Sequence, residues 1–359
     1  MNSAAQLQRK LLEKPPTYGK PLMTNSLSNY PEKYFRTRYG VRRVYETNRD
    51  ELRLQDRMVK LGKKELSQYN KIAEWLPSNR PLSSLEQETA LGEMALERLF
   101  DTLKQSGLIY DRMEVPSVVS GEEFHREYFS KALPSWLSEA FSHPFWERMV
   151  SGAGSQRLFS GWMVELYHYT RNANRHMPLS CAHTQEKAVK TLRAKHYAEE
   201  WNHYHYFLKS LKVLGYTETE ITESVPLPMT LALSNFMRQA ARDDVLAYSI
   251  CSAVLEGTTT DRSSFNPYYE KAIELYDIPR EAINPIYAHL DLDIKYGHSD
   301  LFYDILKNVK EIPAGRAAKI LDYGHQLVEH IWLWTDNIEK YYENDESTFP
   351  RKQFDPNQD

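Results

Sequence analysis

Most prolines of this chain cluster between its helix-period stretches, and that punctuation limits its fold more than any other feature. Glycine is scarce, 14 residues in 359. The prolines mark boundaries at Pro77 and Pro81, Pro134, Pro144, Pro178, Pro226 and Pro228, Pro267 and Pro313. The Val/Ile/Thr alternation of strands is nearly absent, so the pattern predicts an all-α protein. Helices are expected from about Asp50 to Leu76, and from a capping box at Ser83–Glu86 through Leu96, Leu99 and Leu103. Further helices are expected at 155–174, at 184–214 ending on Gly215, at 229–256, at 280–309 and at 316–342. Residues 1–55 read as an irregular, basic and aromatic arm (Tyr30, Tyr34, Phe35, Tyr39, Arg42, Arg43) lying against its own or a sister subunit, which suggests a homodimer.

Composition removes several function classes. A net charge of −4 with no basic block argues against nucleic acid as the main partner. No apolar run approaches the ~20 residues of a membrane helix. The first residues, Met1 to Pro16, lack a continuous apolar stretch, so no secretory signal is expected. The two cysteines, Cys181 and Cys251, form no disulfide framework, and a cytoplasmic protein is expected. The 24 Tyr, 7 Trp and 13 Phe are assigned to the core and helix contacts.

Four consecutive helical segments place acids or imidazoles among apolar residues. In Tyr287–His298, His289, Asp293 and Tyr296 share one helical face, and imidazole and carboxylate one turn apart can serve one metal ion. Glu165 and His168 stand among Trp162, Met163, Val164 and Tyr169. His196, Glu199, Glu200, His203 and His205 surround Trp201, and Glu256 closes a fourth segment. A buried carboxylate is costly unless paired or metal-bound. The mixed nitrogen and oxygen set suits iron or manganese rather than structural zinc. Glu199 and Glu200 are expected to point different ways, with His203 inward, His205 outward, and His196 equally a ligand or a core or ligand-supporting histidine. Glycine-rich phosphate loops, nucleophile elbows, H-E-x-x-H and C-x-x-C are all missing.

Taken in order, Glu165, His203, Glu256 and His289-x-x-x-Asp293 resemble the haem-oxygenase-like diiron oxidases and oxygenases. Their wider superfamily includes the TenA thiaminases and the pyrroloquinoline quinone synthase PqqC. The phrase Glu199-Glu200-Trp-Asn-His203-Tyr-His-Tyr-Phe207 is similar to that family's second-helix motif. The resemblance spans roughly residues 120–340. It implies an N-terminal arm and helical extension over 1–120, a haem-oxygenase-like metal-binding bundle over 121–345 and a polar tail over 346–359. It also implies one or two Fe(II) ions held by Glu165, His203, Glu256, His289 and Asp293, with O2 as co-substrate and an external electron donor. The substrate implied is a small amine or amino-acid-like molecule of natural-product biosynthesis, with Arg171, Arg175 and Arg262 as candidate carboxylate anchors.

One position departs from the pattern. The family's last histidine should fall three residues after Asp293, where this chain has Tyr296. Tyr296 is therefore expected to face the site. His298 lies 180° from His289 on a regular helix and reaches a metal only if the helix unwinds near Gly297. Two alternatives stand beside this reading. One is a ferritin-like diiron protein using Glu165-x-x-His168 and Glu200-x-x-His203; the other is a metal-free helical protein of the TenA or PqqC kind.

Overall fold

The computed structural model describes residues 35–37, 41–46, 49–54, 57–60, 63–75, 82–105, 109–111, 115, 117–256 and 266–352. It divides the chain into two units, residues 1–116 and 117–359. The expected arm residues Tyr30, Tyr34 and Tyr39 and the end of the polar tail lie outside the described residues.

In the first unit the helix expected from Asp50 begins only at Lys63. Before it, β2 (Val41–Glu46), β3 (Arg49–Leu54) and β4 (Arg57–Lys60) form an antiparallel sheet, while β1 (Phe35–Thr37) pairs with β5 (Ile109–Asp111). The register aligns Glu46 with Arg49 and Leu52 with Val59. Runs this short and this charged fit a period of two or of 3.6 equally well, and cross-strand pairing decides between them. Helix α1 (Lys63–Trp75) is followed by α2 (Leu82–Thr89) and α3 (Glu93–Gln105), so the single helix expected after Ser83 is two. Ala90, at φ +55°, turns the chain between them. Ile72, Trp75, Leu85, Leu96, Phe100 and Leu103 are buried.

Among the described residues the second unit is made of helices and their connecting turns, with one β-bridge between Val119 and Ile312. Its helices are α4 (Gly121–Phe124), α5 (Ser130–Ala140), α6 (Pro144–Ser151), α7 (Gln156–His183), α8 (Lys187–Glu200), α9 (Tyr204–Val213), α10 (Glu218–Thr222), α11 (Pro228–Asp243), α12 (Val245–Glu256), α13 (Asn266–Leu275), α14 (Arg280–Tyr296), α15 (Leu301–Leu306) and α16 (Ala314–Tyr342). Helix α7 packs against α8, α9, α11 and α16, while α9 also meets α14 and α12 meets α16. Ser155 caps α7 by accepting from Leu158 N at 3.0 Å. Pro178 lies inside α7 rather than ending it.

Three expected long helices are interrupted, and the breaks at 201–203 and Gly297 shape the site. The 184–214 stretch turns at 201–203 between α8 and α9. The 229–256 stretch breaks at Asp244, whose carboxylate accepts from Leu246 N at 2.8 Å and pairs with Arg316 at 2.7 Å. The 280–309 stretch ends at Gly297 (φ +70°, ψ +38°), followed by a 3-10 turn over His298–Asp300. No helix among the described residues is long and apolar enough to cross a membrane. Both cysteines are free.

Gly161 fixes the approach of α7 to α16: a Cβ there would sit 2.2 Å from Cγ of Tyr342. Gly161→Ala is expected to destabilise the protein by about 1–3 kcal/mol through overpacking. Urea unfolding measures this, and an unchanged midpoint would show that Tyr342 moves aside without cost.

Candidate metal centre

The turn at 201–203 and the unwinding at Gly297 bring the imidazoles and acids of α8, α9, α12 and α14 together. Three interlocking groups have ligand atoms within 4.8 Å of one another: His196, Glu256 and His298; Glu200, His203 and His289; and Glu200, Asp293 and His298. On one side His196 Nε2 lies 3.3 Å from Glu256 Oε1. On the other, His203 Nδ1 lies 2.9 Å from Glu200 Oε2, and His289 Nδ1 lies 3.6 Å from Asp293 Oδ2. His298 joins the two sides, with Nδ1 3.1 Å from Glu200 Oε1 and 3.5 Å from Asp293 Oδ1.

The same atoms make poor hydrogen-bond partners. Glu200 Oε1, His203 Nδ1, Asp293 Oδ1, His298 Nδ1 and both His196 nitrogens are buried without a well-directed hydrogen bond. Native interiors rarely leave polar atoms in that state. Lone pairs that crowd within a few ångströms without bonding one another fit a shared cation. The donor set of four imidazoles and three carboxylates suits iron.

Electrostatics support the clustering. Burial works to lower the His298 pKa, but the adjoining carboxylates of Asp293, Glu200 and Glu256 outweigh it and push it up to about 11. Burial works against ionisation of Glu200 too, yet His203, His298 and His196 hold it well below the usual carboxylate range. Glu256 is lowered as well: His196 and His298 overcome its burial. His289 is lowered chiefly by burial.

Several expected site residues stand elsewhere. Glu165 is fully buried but belongs to a different network: it accepts from Leu227 N at 3.0 Å, from Tyr342 OH at 2.7 Å and from the Thr230 hydroxyl. Helix α7 is buried on every side from Leu158 to Glu165, so its apolar pattern carries no information about which face meets the site. His168 is 2.8 Å from Ser224 Oγ. The pairing Glu165-x-x-His168 that a ferritin-like site needs is therefore engaged away from the cluster. Tyr296 is 39 % exposed, whereas His298 is 3 % exposed and takes the inward place. The left-handed Gly297 ends the helix and rotates the next residue back towards His289.

Glu199 and Glu200 were expected to diverge, yet both meet His298, from opposite edges of its ring. Glu199 Oε2 is 3.3 Å from Nε2, and Glu200 approaches Nδ1. His196 is the second residue that periodicity undervalued. The palindromic His196-x-x-Glu199-Glu200-x-x-His203 was the available signal. His205 is exposed, as are Arg171 and Arg175, and Arg262 lies outside the described residues. Arg171 donates to Tyr167 OH at 3.3 Å and to Thr222 O.

A cavity of about 210 Å³ opens beside the cluster, walled by Trp162, Tyr169, Phe207, Met237, Leu290 and Trp334 and reaching Glu200, Glu256, His289, Asp293 and His298. Burial raises the phenol of Tyr169 well above its ordinary value and keeps it neutral. An apolar chamber against a polar cluster is the usual form of a small-molecule site.

The fold has solved counterparts. A crystal structure of a domain of unknown function with a heme oxygenase-like fold from Shewanella denitrificans OS217 matches with a TM-score of 0.52 at 18 % identity, over 64 % of this chain and 98 % of that one. A TenA homologue from Pseudomonas syringae pv. tomato DC3000 gives 0.48 at 12 % identity, over 59 % of this chain and 93 % of that one. A TenA homologue from P. horikoshii OT3 gives 0.46 at 15 % identity, over 60 % and 98 %. No curated protein matches the sequence. The first of these solved structures shows that the bundle has the haem-oxygenase-like fold. Residues 160–327 match a family described as iron-containing redox enzymes. The segment is thus similar to that family, and the bundle around it has the haem-oxygenase-like fold.

Proposed function

We propose that this protein is a nonhaem diiron oxygenase or oxidase that uses O2 on a small amine or amino-acid-like molecule of natural-product biosynthesis. The observation that carries the reading is the set of buried, unbonded ligand atoms shared among the three His/carboxylate groups. One iron would be held by His196, Glu256 and His298, the other by Glu200, His203 and His289, with Asp293 as a further ligand. Glu199, at the outer edge of His298, orients that ring. Bound iron supplies the activation of O2, and an external donor supplies electrons that the substrate does not. The protein's own part is to offset the metal charge with carboxylates, to hold the imidazoles neutral towards the metal, and to exclude water with the aromatic walls of the cavity.

Anaerobic titration of Fe(II) into the full-length protein tests this. About two ions per chain are expected to remain after gel filtration, followed by O2 uptake on exposure to air. The carboxylates of Glu199, Glu200 and Asp293 around His298 favour its protonated form in the metal-free protein, and loading should displace that proton. At least about one proton per chain should appear in weakly buffered solution, and iron affinity should rise with pH. Retention of less than one iron would favour the metal-free helical alternative.

A further inference from the structure

Behind the cavity wall at His176 and Tyr248 lies a positive charge that no carboxylate among the described residues pairs with. Arg193 lies on α8 seven residues before Glu200, so the two share a helix face about 10 Å apart by helical rise. Arg193 is 1 % exposed, with its guanidinium carbon 4.5 Å from the centroid of the Tyr248 ring and Nε 3.5 Å from Ser180 Oγ. Neither Nη1 nor Nη2 has a hydrogen-bond partner, and among the described residues no carboxylate pairs with this guanidinium. Arg238, next to the cavity residue Met237, also leaves its Nε buried and unpartnered. A buried cation without a counter-ion is strongly unfavourable. The acids of the cluster do not serve while they hold metal.

Tyr248 and His176 connect this charge to the cavity, since both form part of its wall. Tyr248 OH is 2.8 Å from His176 Nδ1. Burial, reinforced by the charges of Arg193, His196 and Arg238, pushes the His176 pKa down to about 3, so the ring is neutral. A guanidinium over the phenol favours donation from Tyr248 OH to Nδ1, which leaves the proton on Nε2. That Nε2 is buried with no acceptor. The order Arg193, Tyr248, His176 thus ends on a donor that lacks its partner.

We propose that this part of the cavity is a carboxylate subsite: the substrate presents a monoanionic acid to His176 Nε2, Arg193 balances its charge from behind Tyr248, and an apolar body extends through the cavity towards the cluster. The inference rests on the cavity being the substrate site. It assigns anion recognition to Arg193 and His176 in place of Arg171 and Arg175. Arg193 is a positioning residue that acts through Tyr248 and His176.

Calorimetric titration of the full-length protein with phenylbutanoate and with its neutral primary amide tests the subsite, both without metal and with Mn(II) loaded. The acid is expected to bind about tenfold tighter than the amide or better. Arg193→Met should abolish that preference and Arg193→Lys restore part of it. His176→Phe should weaken the acid about tenfold and leave the amide unchanged, and it decides the matter if Arg193→Met does not fold. Equal binding of acid and amide by the wild type, or a preference that survives in both Arg193→Met and His176→Phe, overturns the proposal. Acid preference without metal retention would overturn the iron reading and leave the subsite standing; metal retention without acid preference does the reverse.

Discussion

His298→Ala is expected to lower tightly held iron from about two per chain to one or none and to cut turnover on the order of a hundredfold or more. Loss of a residue that merely supports a ligand already costs about 10- to 100-fold, and His298 is placed as a ligand itself. Its ring is 3 % exposed and sits among Glu199, Glu200, Asp293 and the His196–Glu256 pair. Without the imidazole those carboxylates face one another with less positive charge between them, so the metal-free variant should also be less stable. Tyr296→Phe is the control: that side chain is 39 % exposed and its loss should leave iron content unchanged. Iron per chain after gel filtration measures both. Loss of iron in Tyr296→Phe with full retention in His298→Ala would mean that the chain after Asp293 continues as a regular helix.

Glu165→Ala should destabilise the protein by roughly 2–4 kcal/mol while the folded fraction keeps its iron. The substitution leaves Thr230, Tyr342 and the Leu227 amide without their acceptor and opens a cavity in the core. Glu165→Gln should cost less, because it keeps the shape and one acceptor oxygen. The pH dependence has a definite sign. Burial raises the Glu165 pKa above its unfolded value, despite the hydrogen bonds from Thr230, Tyr342 and Leu227. Its contribution is therefore fully present below the ordinary carboxylate range and is lost as pH rises through the folded pKa. Wild type should lose stability across that window and Glu165→Gln should not, as urea midpoints over pH would show. Iron loss in Glu165→Gln would restore this residue to the metal centre.

Much of the candidate centre was legible as residue types. His203, Glu256, His289 and Asp293 stand out because acids and imidazoles are expensive among apolar neighbours, and each of them belongs to one of the three interlocking groups. Glu165 carries the same mark for a different reason. A buried acid satisfied by a phenol, a hydroxyl and a backbone amide looks in sequence like one that binds metal. The palindrome around Glu199-Glu200 was visible too. Its use depends on the turn at 201–203, which no short-range period reveals, because Trp201, Asn202 and His203 do not oppose a helix.

By itself the sequence determined the helical character of the second unit, since proline and glycine placement and apolar spacing act through local backbone sterics and one-sided burial. It also determined the chemical type of the centre, since nitrogen and oxygen donors among apolar residues must be paired or bound. Only the tertiary structure decided which donors meet. Gly297 shows why: glycine permits the left-handed backbone that ends α14 but does not compel it. Packing of the following 3-10 turn turns His298 inward and leaves Tyr296 at the surface. The same holds for Arg193, an ordinary helix residue in the sequence, whose burial, with no carboxylate pairing it among the described residues, appears only when Ser180 of α7 and Tyr248 of α12 close over it.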